Sequence, residues 1–171
     1  MKILLVLVTA LVLLTGVVLL IGAFLPRKHV ASREIVLRQT PRDVYAVVRD
    51  FASLTTWRSD VKSVEMLAPV NGRVRFRENS SNGRITYELV EETPDAKLVT
   101  EIVDRDLGYF GSWTYEFLPD PSGTGLRITE NGEVPNVLFR FMSRFVFGHT
   151  ATMDAYLRSL GRKFGEEVTL Q

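Results

Sequence analysis

Two glutamates occupy positions in predicted strands where a side chain would turn toward the interior. In the stretch TGLRITENGEVPN, Leu126 and Ile128 have the pattern of inward strand residues, and Glu130 is the next residue with the same parity. Glu78 stands in the same relation to Phe76 in RVRFREN. Because successive strand residues point to opposite faces, we predict that both carboxylates turn inward. A carboxyl group there can act as a general acid with a raised pKa, or can bind the polar end of a ligand.

The simpler interpretation of these glutamates is structural, and the pattern favours it. Strand ends are accessible to water, and each carboxylate has a candidate partner in Arg58 or Arg127. Asn131-Gly132 directly follows Glu130 and could introduce a bulge that changes its direction. For both glutamates, we therefore rank solvation or ion pairing as the first interpretation, contact with a ligand as the second and catalysis as the third.

His149 is the third candidate for acid–base chemistry. It lies on the apolar stripe of a predicted C-terminal helix. One interpretation is a general base near a cavity, and the more common one is a core residue or pocket liner. The other histidine, His29, belongs to a segment next to a predicted membrane span. With two histidines so placed and no cysteine, the chain lacks the ligands for a metal site. No metal and no other cofactor is predicted.

Composition excludes several other classes of function. Lys and Arg number 21 against 20 Asp and Glu in 171 residues, a net charge of +1. This balance gives no basis for nucleic-acid binding, which usually requires a basic excess. The sequence contains no nucleophile elbow, phosphate-binding glycine loop or dinucleotide fingerprint, and without cysteine there is no thiolate nucleophile.

The first part of the chain has the composition of a membrane span. Residues 3–25, ILLVLVTALVLLTGVVLLIGAFL, carry no charge. A helix of this length extends roughly 34 Å, enough for a hydrocarbon core of about 30 Å. The alternative is a cleaved signal peptide with Lys2 as its positive region, but the apolar run is longer than usual and no small-x-small cleavage site follows. We therefore predict a transmembrane anchor, together with the flanking residues at the membrane surface, over residues 1–28 and a folded domain over residues 29–171.

The charges around this span indicate its orientation. Lys2 precedes the span, whereas Arg27, Lys28, Arg33 and Arg38 follow it closely. The positive-inside rule then predicts a single-pass protein whose folded domain lies on the cytoplasmic side. An ordinary signal anchor that exports the domain is the alternative.

The elements after the span form a series of strands around one short helical region. The pattern of residues 30–38 indicates a first strand. The stretch TPRDVYAVVRDF has the signals of a helix start, with Thr40 at the N-cap and Pro41 at the first helical position. SLTTWRSD predicts a second short helix or turn. Six further strands are separated by turn signals such as Asn71-Gly72, which suits a type I′ hairpin. Short connections make neighbouring strands antiparallel, so we predict a meander of about seven strands.

The last part of the chain has helical periodicity. From residue 136 to about residue 166 no proline occurs, and one apolar stripe runs through the segment. The stripe consists of Leu138, Phe141, Met142, Phe145, His149, Thr152, Met153, Tyr156, Leu160 and Phe164. We predict a continuous helix of about 30 residues, roughly 45 Å long, which lies across one face of the sheet.

The first half of this predicted helix, residues 137–147, is apolar on more than one side, with Arg140 and Arg144 one turn apart. Three interpretations remain open. The segment is a lip of a cavity, a face that rests in the membrane interface with its arginines on lipid headgroups, or a helix buried under loops.

This order of elements resembles the START-like, or SRPBCC, superfamily. The strand, two short helices, six-stranded meander and C-terminal helix span residues 30–166. The stretches ITENGEVPNVLFRFMSRFVFG and MDAYLRSLGRKF are similar to the last strand and helix of its polyketide cyclase/dehydrase-like branch, which includes members with an N-terminal span. The resemblance implies an α+β helix-grip fold, in which a curved antiparallel sheet wraps around the C-terminal helix and leaves a cavity for a hydrophobic ligand.

The predicted lining of that cavity combines inward sheet positions with the helix stripe. Aromatic side chains with polar tips are common in such pockets because they bury area and still offer a hydrogen bond. The predicted ligand-binding residues are Trp57, Phe76, Tyr87, Trp113, Tyr115, Phe141, Phe145 and His149. A filled core with no cavity is the alternative.

Three functions are compatible with this sequence. The leading hypothesis is a membrane-anchored binding module for a hydrophobic or lipid-like small molecule. The second is a cyclase or dehydrase-like enzyme that uses Glu130, Glu78 or His149 for acid–base chemistry. The third is an interaction scaffold with a filled core.

Overall fold

The computed structural model describes residues 1–148 and 150–171, apart from the Phe147 side chain. The helices are α1 (Lys2–Phe24), α2 (Pro41–Arg49), α3 (Val137–Met142) and α4 (Ala151–Lys163). A 3₁₀ turn, Phe51–Thr56, follows α2, and a π-helical turn, Ser143–Phe147, follows α3. The strands are β1 (Lys28–Leu37), β2 (Val61–Val70), β3 (Arg73–Ser80), β4 (Gly83–Thr93), β5 (Lys97–Ile102), β6 (Phe110–Asp120) and β7 (Gly123–Glu133).

The seven strands form one antiparallel sheet in the order β1-β7-β6-β5-β4-β3-β2. Strands β2 to β7 are consecutive neighbours, which confirms the predicted meander, and β1 pairs with β7. Register irregularities between Leu67 and Val70 and between Leu89 and Glu91 mark bulges, which bend the strands that contain them. On its other side, β1 is covered at one point, because Glu34 and Gln171 exchange two backbone hydrogen bonds.

Local sequence signals account for the turns and for the start of α2. Asn71 and Gly72 have φ values of 52° and 77°, the positive values that a type I′ hairpin requires. The Thr40 side chain accepts a hydrogen bond from the Asp43 backbone N–H, and Pro41 is the first helical residue. Both predictions are confirmed, because these residue types match the backbone conformations at these positions.

The core lies between the concave face of the sheet and α4. Most sheet residues predicted to point inward are buried, Tyr87 and Trp113 are partly buried, and one face of α4 is buried as well. The principal buried residues are Ile35, Leu37, Phe76, Leu89, Leu98, Tyr115, Phe117, Leu126 and Ile128 from the sheet, with Met153, Tyr156, Leu157 and Leu160 from α4. Residues of α2 and the 3₁₀ turn close one side, where the Phe51 and Phe76 rings stack with centroids 4.2 Å apart. This is the α+β helix-grip arrangement that the resemblance implied.

The predicted single helix over residues 136–166 is wrong, because the structure divides it at Gly148. This glycine has φ 74° and ψ 162°, a left-handed conformation that glycine adopts without steric cost. The π-helical turn before it also changes the helical phase. Residues on either side therefore do not share one stripe, and α4 crosses the sheet as a helix of 13 residues.

Helix α1 packs against α3, at the end of α1 that leads into the sheet. An added Cβ at Gly22 would lie 2.4 Å from the Val137 carbonyl oxygen, so the two backbones are in direct contact. The guanidinium of Arg140 donates from Nη1 to the Leu25 carbonyl oxygen at 2.8 Å. This hydrogen bond satisfies a terminal carbonyl and places a cation at the negative end of the α1 dipole.

Gly22→Leu is expected to separate α3 from α1. A contact of 2.4 Å with a backbone carbonyl cannot be relieved by a rotamer change, and overpacking of this kind costs about 1–3 kcal/mol. A helix of six residues depends on tertiary packing. Amide hydrogen exchange in Val137–Met142, measured on the full chain in detergent micelles, should therefore accelerate.

Gly16→Leu is the matched control, because no atom lies within 4 Å of a Cβ at Gly16 on the same helix. Its exchange pattern in α3 should equal that of the wild type. If the α3 amides were equally protected from exchange in both variants, the close contact between Gly22 and Val137 would be contradicted.

Candidate functional site

A small cavity lies between the sheet, the 3₁₀ turn and the first turns of α4. It is lined by Phe51, Leu54, Arg58, Phe76, Glu78, Asn82, Tyr87, Thr100, Trp113, Tyr115, Thr152 and Tyr156. Its volume of about 40 Å³ accommodates about three water molecules at 10–15 Å³ each. Drug-sized ligands occupy sites of about 300–1,000 Å³. In this conformation the aromatic side chains therefore fill most of the space that they line.

Three tyrosines provide much of the polar surface of the cavity. The Tyr156 ring centroid lies 5.8 Å from those of Tyr115 and Trp113, and the Tyr87 ring stacks on Phe76 with centroids 5.2 Å apart. Burial raises the pKa of Tyr87 and of Tyr156 well above 10, and it raises the pKa of Tyr115 as well. The three hydroxyl groups are therefore neutral at physiological pH, where each can donate or accept a hydrogen bond.

A buried ion cluster forms one end of the cavity. Arg58 donates to Glu78 through Nη1 at 2.8 Å and Nη2 at 3.3 Å, and to Asp60 through Nη2 at 2.5 Å and Nε at 3.3 Å. The side chains of Arg58 and Glu78 are only 6% and 5% exposed. Burial alone would lower the pKa of Arg58, but Glu78 and Asp60 outweigh it and raise the pKa.

The cluster carries one more negative than positive charge when both carboxylates are ionised. The Arg58 guanidinium also lies over the Tyr156 ring, 5.1 Å from its centroid, a favourable cation–π position. Arg58 is therefore held by two carboxylates and a ring, and Glu78 remains the acidic group that lines the cavity.

Glu78 and Glu130 were both predicted to turn inward, and the structure gives them different surroundings. Glu78 is buried, as its strand parity predicted, and it pairs with Arg58, one of the partners considered from the sequence. Glu130 is not among the residues that line the cavity. Its carboxylate accepts a hydrogen bond from the Trp113 indole N–H at 2.7 Å and lies 3.0 Å from His29 Nε2. Arg127, the other candidate partner for these glutamates, binds Glu34 on the other face instead.

The structure brings together part of the predicted ligand-binding set. Phe76, Tyr87, Trp113 and Tyr115 line the cavity. Trp57 is buried behind them, with its ring 5.2 Å from that of Tyr156.

The helical members of the predicted set lie elsewhere. The rings of Phe141 and Phe145 contact each other at 4.9 Å but do not line the cavity. The reason is the break at Gly148, which removes α3 and the π-helical turn from the line of α4. His149 lies outside the described residues.

Sequence reasoning missed Tyr156 and Thr100 as lining residues and treated Arg58 only as a partner for a glutamate. Tyr156 was on the predicted stripe, and its spacing of three and four residues from Met153 and Leu160 was the available signal. Thr100 shares the inward parity of Leu98 in β5. Across the described part of the chain, no three His, Asp or Glu side chains come together as metal ligands.

The family of the chain follows from comparison with known proteins. A family model described as polyketide cyclase / dehydrase and lipid transport matches residues 28–165, which include the whole sheet and α4. The chain belongs to this family. The family description covers binding and cyclase-like activities, so residues 28–165 form a domain of the ligand-binding or cyclase-like kind. No curated protein matches the sequence.

Solved structures similar to this family member share its fold at low sequence identity. The di-domain ARO/CYC protein StfQ from the steffimycin biosynthetic pathway has a TM-score of 0.64 at 14% identity, over 78% of this chain and 50% of that chain. The chain therefore spans about half the length of that protein. A START superfamily protein from Mycobacterium smegmatis has a TM-score of 0.61 at 16% identity, over 81% and 97% of the two chains. Norcoclaurine synthase from Thalictrum flavum has a TM-score of 0.62 at 9% identity, over 80% and 86%.

Proposed function

We propose that this family member is a membrane-anchored module that binds a hydrophobic or lipid-like small molecule between the sheet and α4. The observation that supports the proposal is the cavity itself. Its walls are aromatic, and the only charged residues among the described part of its lining are Arg58 and Glu78, which pair at one end. An apolar wall with a few convergent polar groups is the general character of small-molecule sites.

The polar groups of the cavity define the head group of the proposed ligand. The excess negative charge of Arg58, Glu78 and Asp60 disfavours a carboxylate or phosphate beside them, since like charges in a buried site repel strongly. Neutral tyrosine hydroxyls next to Glu78 suit a hydroxyl, an amide or a carbonyl. The ligand is thus an apolar molecule with a neutral hydrogen-bonding end.

Uptake of such a molecule requires the cavity to enlarge, and the break at Gly148 supplies a hinge for this change. Thr152, in the first turn of α4, borders the cavity. Gly148 precedes that turn and joins it to the π-helical turn. A rotation at Gly148 would let the first turn of α4, which carries Thr152, move away from the sheet while residues 137–147 stay packed against α1.

The proposed anchor is α1, a helix of 23 residues that by length and composition is a candidate membrane span. The basic residues that follow it favour a cytoplasmic domain. Because the chain contains no cysteine, Ser122→Cys creates a unique thiol in an exposed turn of the domain. A membrane-impermeant thiol reagent should label it in inverted vesicles and not in intact cells, and the reverse pattern would refute the cytoplasmic orientation.

Filling the cavity tests the proposed binding. Thr100→Phe places a ring in a space of about 40 Å³, so the variant should lose the ligand that co-purifies with the wild type. The full chain is purified in detergent, and its organic extract is compared by mass spectrometry. Ligand recovery should fall at least about tenfold, which corresponds to 1.4 kcal/mol of binding free energy.

Thr114→Phe provides the matched control for this experiment. Thr114 lies on the adjacent strand β6, between the inward residues Trp113 and Tyr115, and therefore points to the opposite face of the sheet. Its extract should equal that of the wild type, and circular dichroism should show both variants folded. Equal extracts from both variants would refute binding in this cavity.

A cyclase or dehydrase-like activity is the second candidate, and the location of Glu78 beside three tyrosine hydroxyls favours it. Such an enzyme would position the substrate on Tyr87, Tyr115 and Tyr156 and use these groups for proton transfer. Tyr156→Phe separates the two functions. A carrier should yield the same compound from wild type and variant, whereas a dehydrase variant should accumulate a compound heavier by one water.

A further inference from the structure

Residues 137–147, here called the interfacial segment, expose an apolar face that no described residue covers. Leu138 and Phe139 are 49% and 50% exposed, and Phe145 and Val146 are 60% and 58% exposed. Leu138 and Phe139 belong to α3, and Phe145 and Val146 belong to the π-helical turn that continues it. Arg140, between these two pairs, is buried and binds the end of α1. The segment is therefore amphipathic, with its apolar side outward.

The contact with α1 fixes the level of this segment relative to the span. Val137 touches Gly22, two residues before α1 ends at Phe24. At 1.5 Å per residue, Gly22 lies about 30 Å from Lys2, which equals the thickness of a hydrocarbon core. Val137 is thus at the boundary between acyl chains and headgroups whenever α1 spans a bilayer.

The exposed charges near this boundary are positive, and lipid headgroups attract positive charges. Arg27 and Lys28 follow α1 and are exposed, and Arg144 is exposed on the π-helical turn. Arg140 is not available to lipid, because it is buried and binds the Leu25 carbonyl oxygen. It holds the segment against α1 while the other three cations face the headgroup region.

We propose that the interfacial segment is a second membrane-contact element, which lies in the plane of the bilayer surface with Leu138, Phe139, Phe145 and Val146 among the acyl chains. The inference rests on the proposed spanning role of α1. Amphipathic helices of this kind enter the headgroup and acyl boundary by about 5–10 Å. Trp113, which lines the cavity, lies three residues along β6 from Phe110, at the level of Lys28, so the ligand would reach the cavity from the lipid rather than from water.

Depth-dependent fluorescence quenching tests this arrangement on the full chain in phosphatidylcholine vesicles. Because the chain has no cysteine, single-cysteine variants at Leu138, Phe145, Leu14 and Ser122 can each carry the fluorophore NBD. Ser122 is the aqueous control, since β6 runs from Phe110, at the level of Lys28, to Asp120, about 33 Å away. Spin-labelled phospholipids quench the fluorophore near the headgroups or near the bilayer centre.

The labels at Leu138 and Phe145 should be quenched most by the spin label near the headgroups, the label at Leu14 by the central one, and the label at Ser122 by neither. Quenching at Leu14 together with a Ser122-like response at Leu138 and Phe145 would overturn the inference and leave the anchor intact. Absence of quenching at Leu14 would overturn the anchor and this inference together, without bearing on ligand binding by the cavity.

Discussion

Arg58→Met is expected to lower the free energy of unfolding of the domain by about 3–5 kcal/mol, the range measured when one partner of a buried ion pair is removed. Without Arg58, Glu78 keeps a charge in a site where its side chain is 5% exposed. Asp60 loses both of its hydrogen bonds to the guanidinium. Chemical unfolding of the full chain in detergent micelles, followed by circular dichroism, measures the effect.

Arg73→Met is the control for this experiment. Arg73 also binds a glutamate, Glu88, at 3.0 Å, but its side chain is 54% exposed, and pairs of this kind contribute about 0–1 kcal/mol. A second variant that combines Arg58→Met with Glu78→Leu removes the stranded charge and should recover part of the loss. Equal effects of Arg58→Met and Arg73→Met would show that the cluster does not contribute as a buried pair.

Leu157→Ala is expected to cost about 2–5 kcal/mol, because Leu157 is fully buried and its loss leaves a void between α4 and the sheet. Leu118→Ala, on an exposed position of β6, should change stability by no more than about 0.5 kcal/mol. Thermal unfolding of both variants provides the comparison. A small effect at Leu157 would mean that α4 does not dock on the concave face as described.

The sheet was predictable because its strands and turns depend on local patterns. Alternation in the strands identified inward residues such as Phe76 and Ile128, and Asn71-Gly72 determined one hairpin. The fold then followed from a resemblance that extends over most of the chain. The division of the last helix was not predictable, because a glycine is tolerated within a helical pattern and the residues around Gly148 carry no proline or other helix-ending signal.

The candidate site was predictable in part. Strand parity predicted that Glu78 and Glu130 turn inward, but it did not distinguish a buried pair with Arg58 from an acid that faces a ligand. Glu130 lies beside His29, 101 residues earlier in the chain, and this proximity depends on the register between β1 and β7. The size of the cavity is a matter of side-chain packing, since the residues that line it also fill it.

The backbone bridge between Glu34 and Gln171 has a consequence for association between neighbouring copies. An uncovered outer strand is a template on which another chain can add its own strand, and this is a common route to aggregates. At Glu34 the donor and the acceptor of β1 are already occupied. Crowded copies of the domain would thus be hindered from extending one another's sheets through this strand.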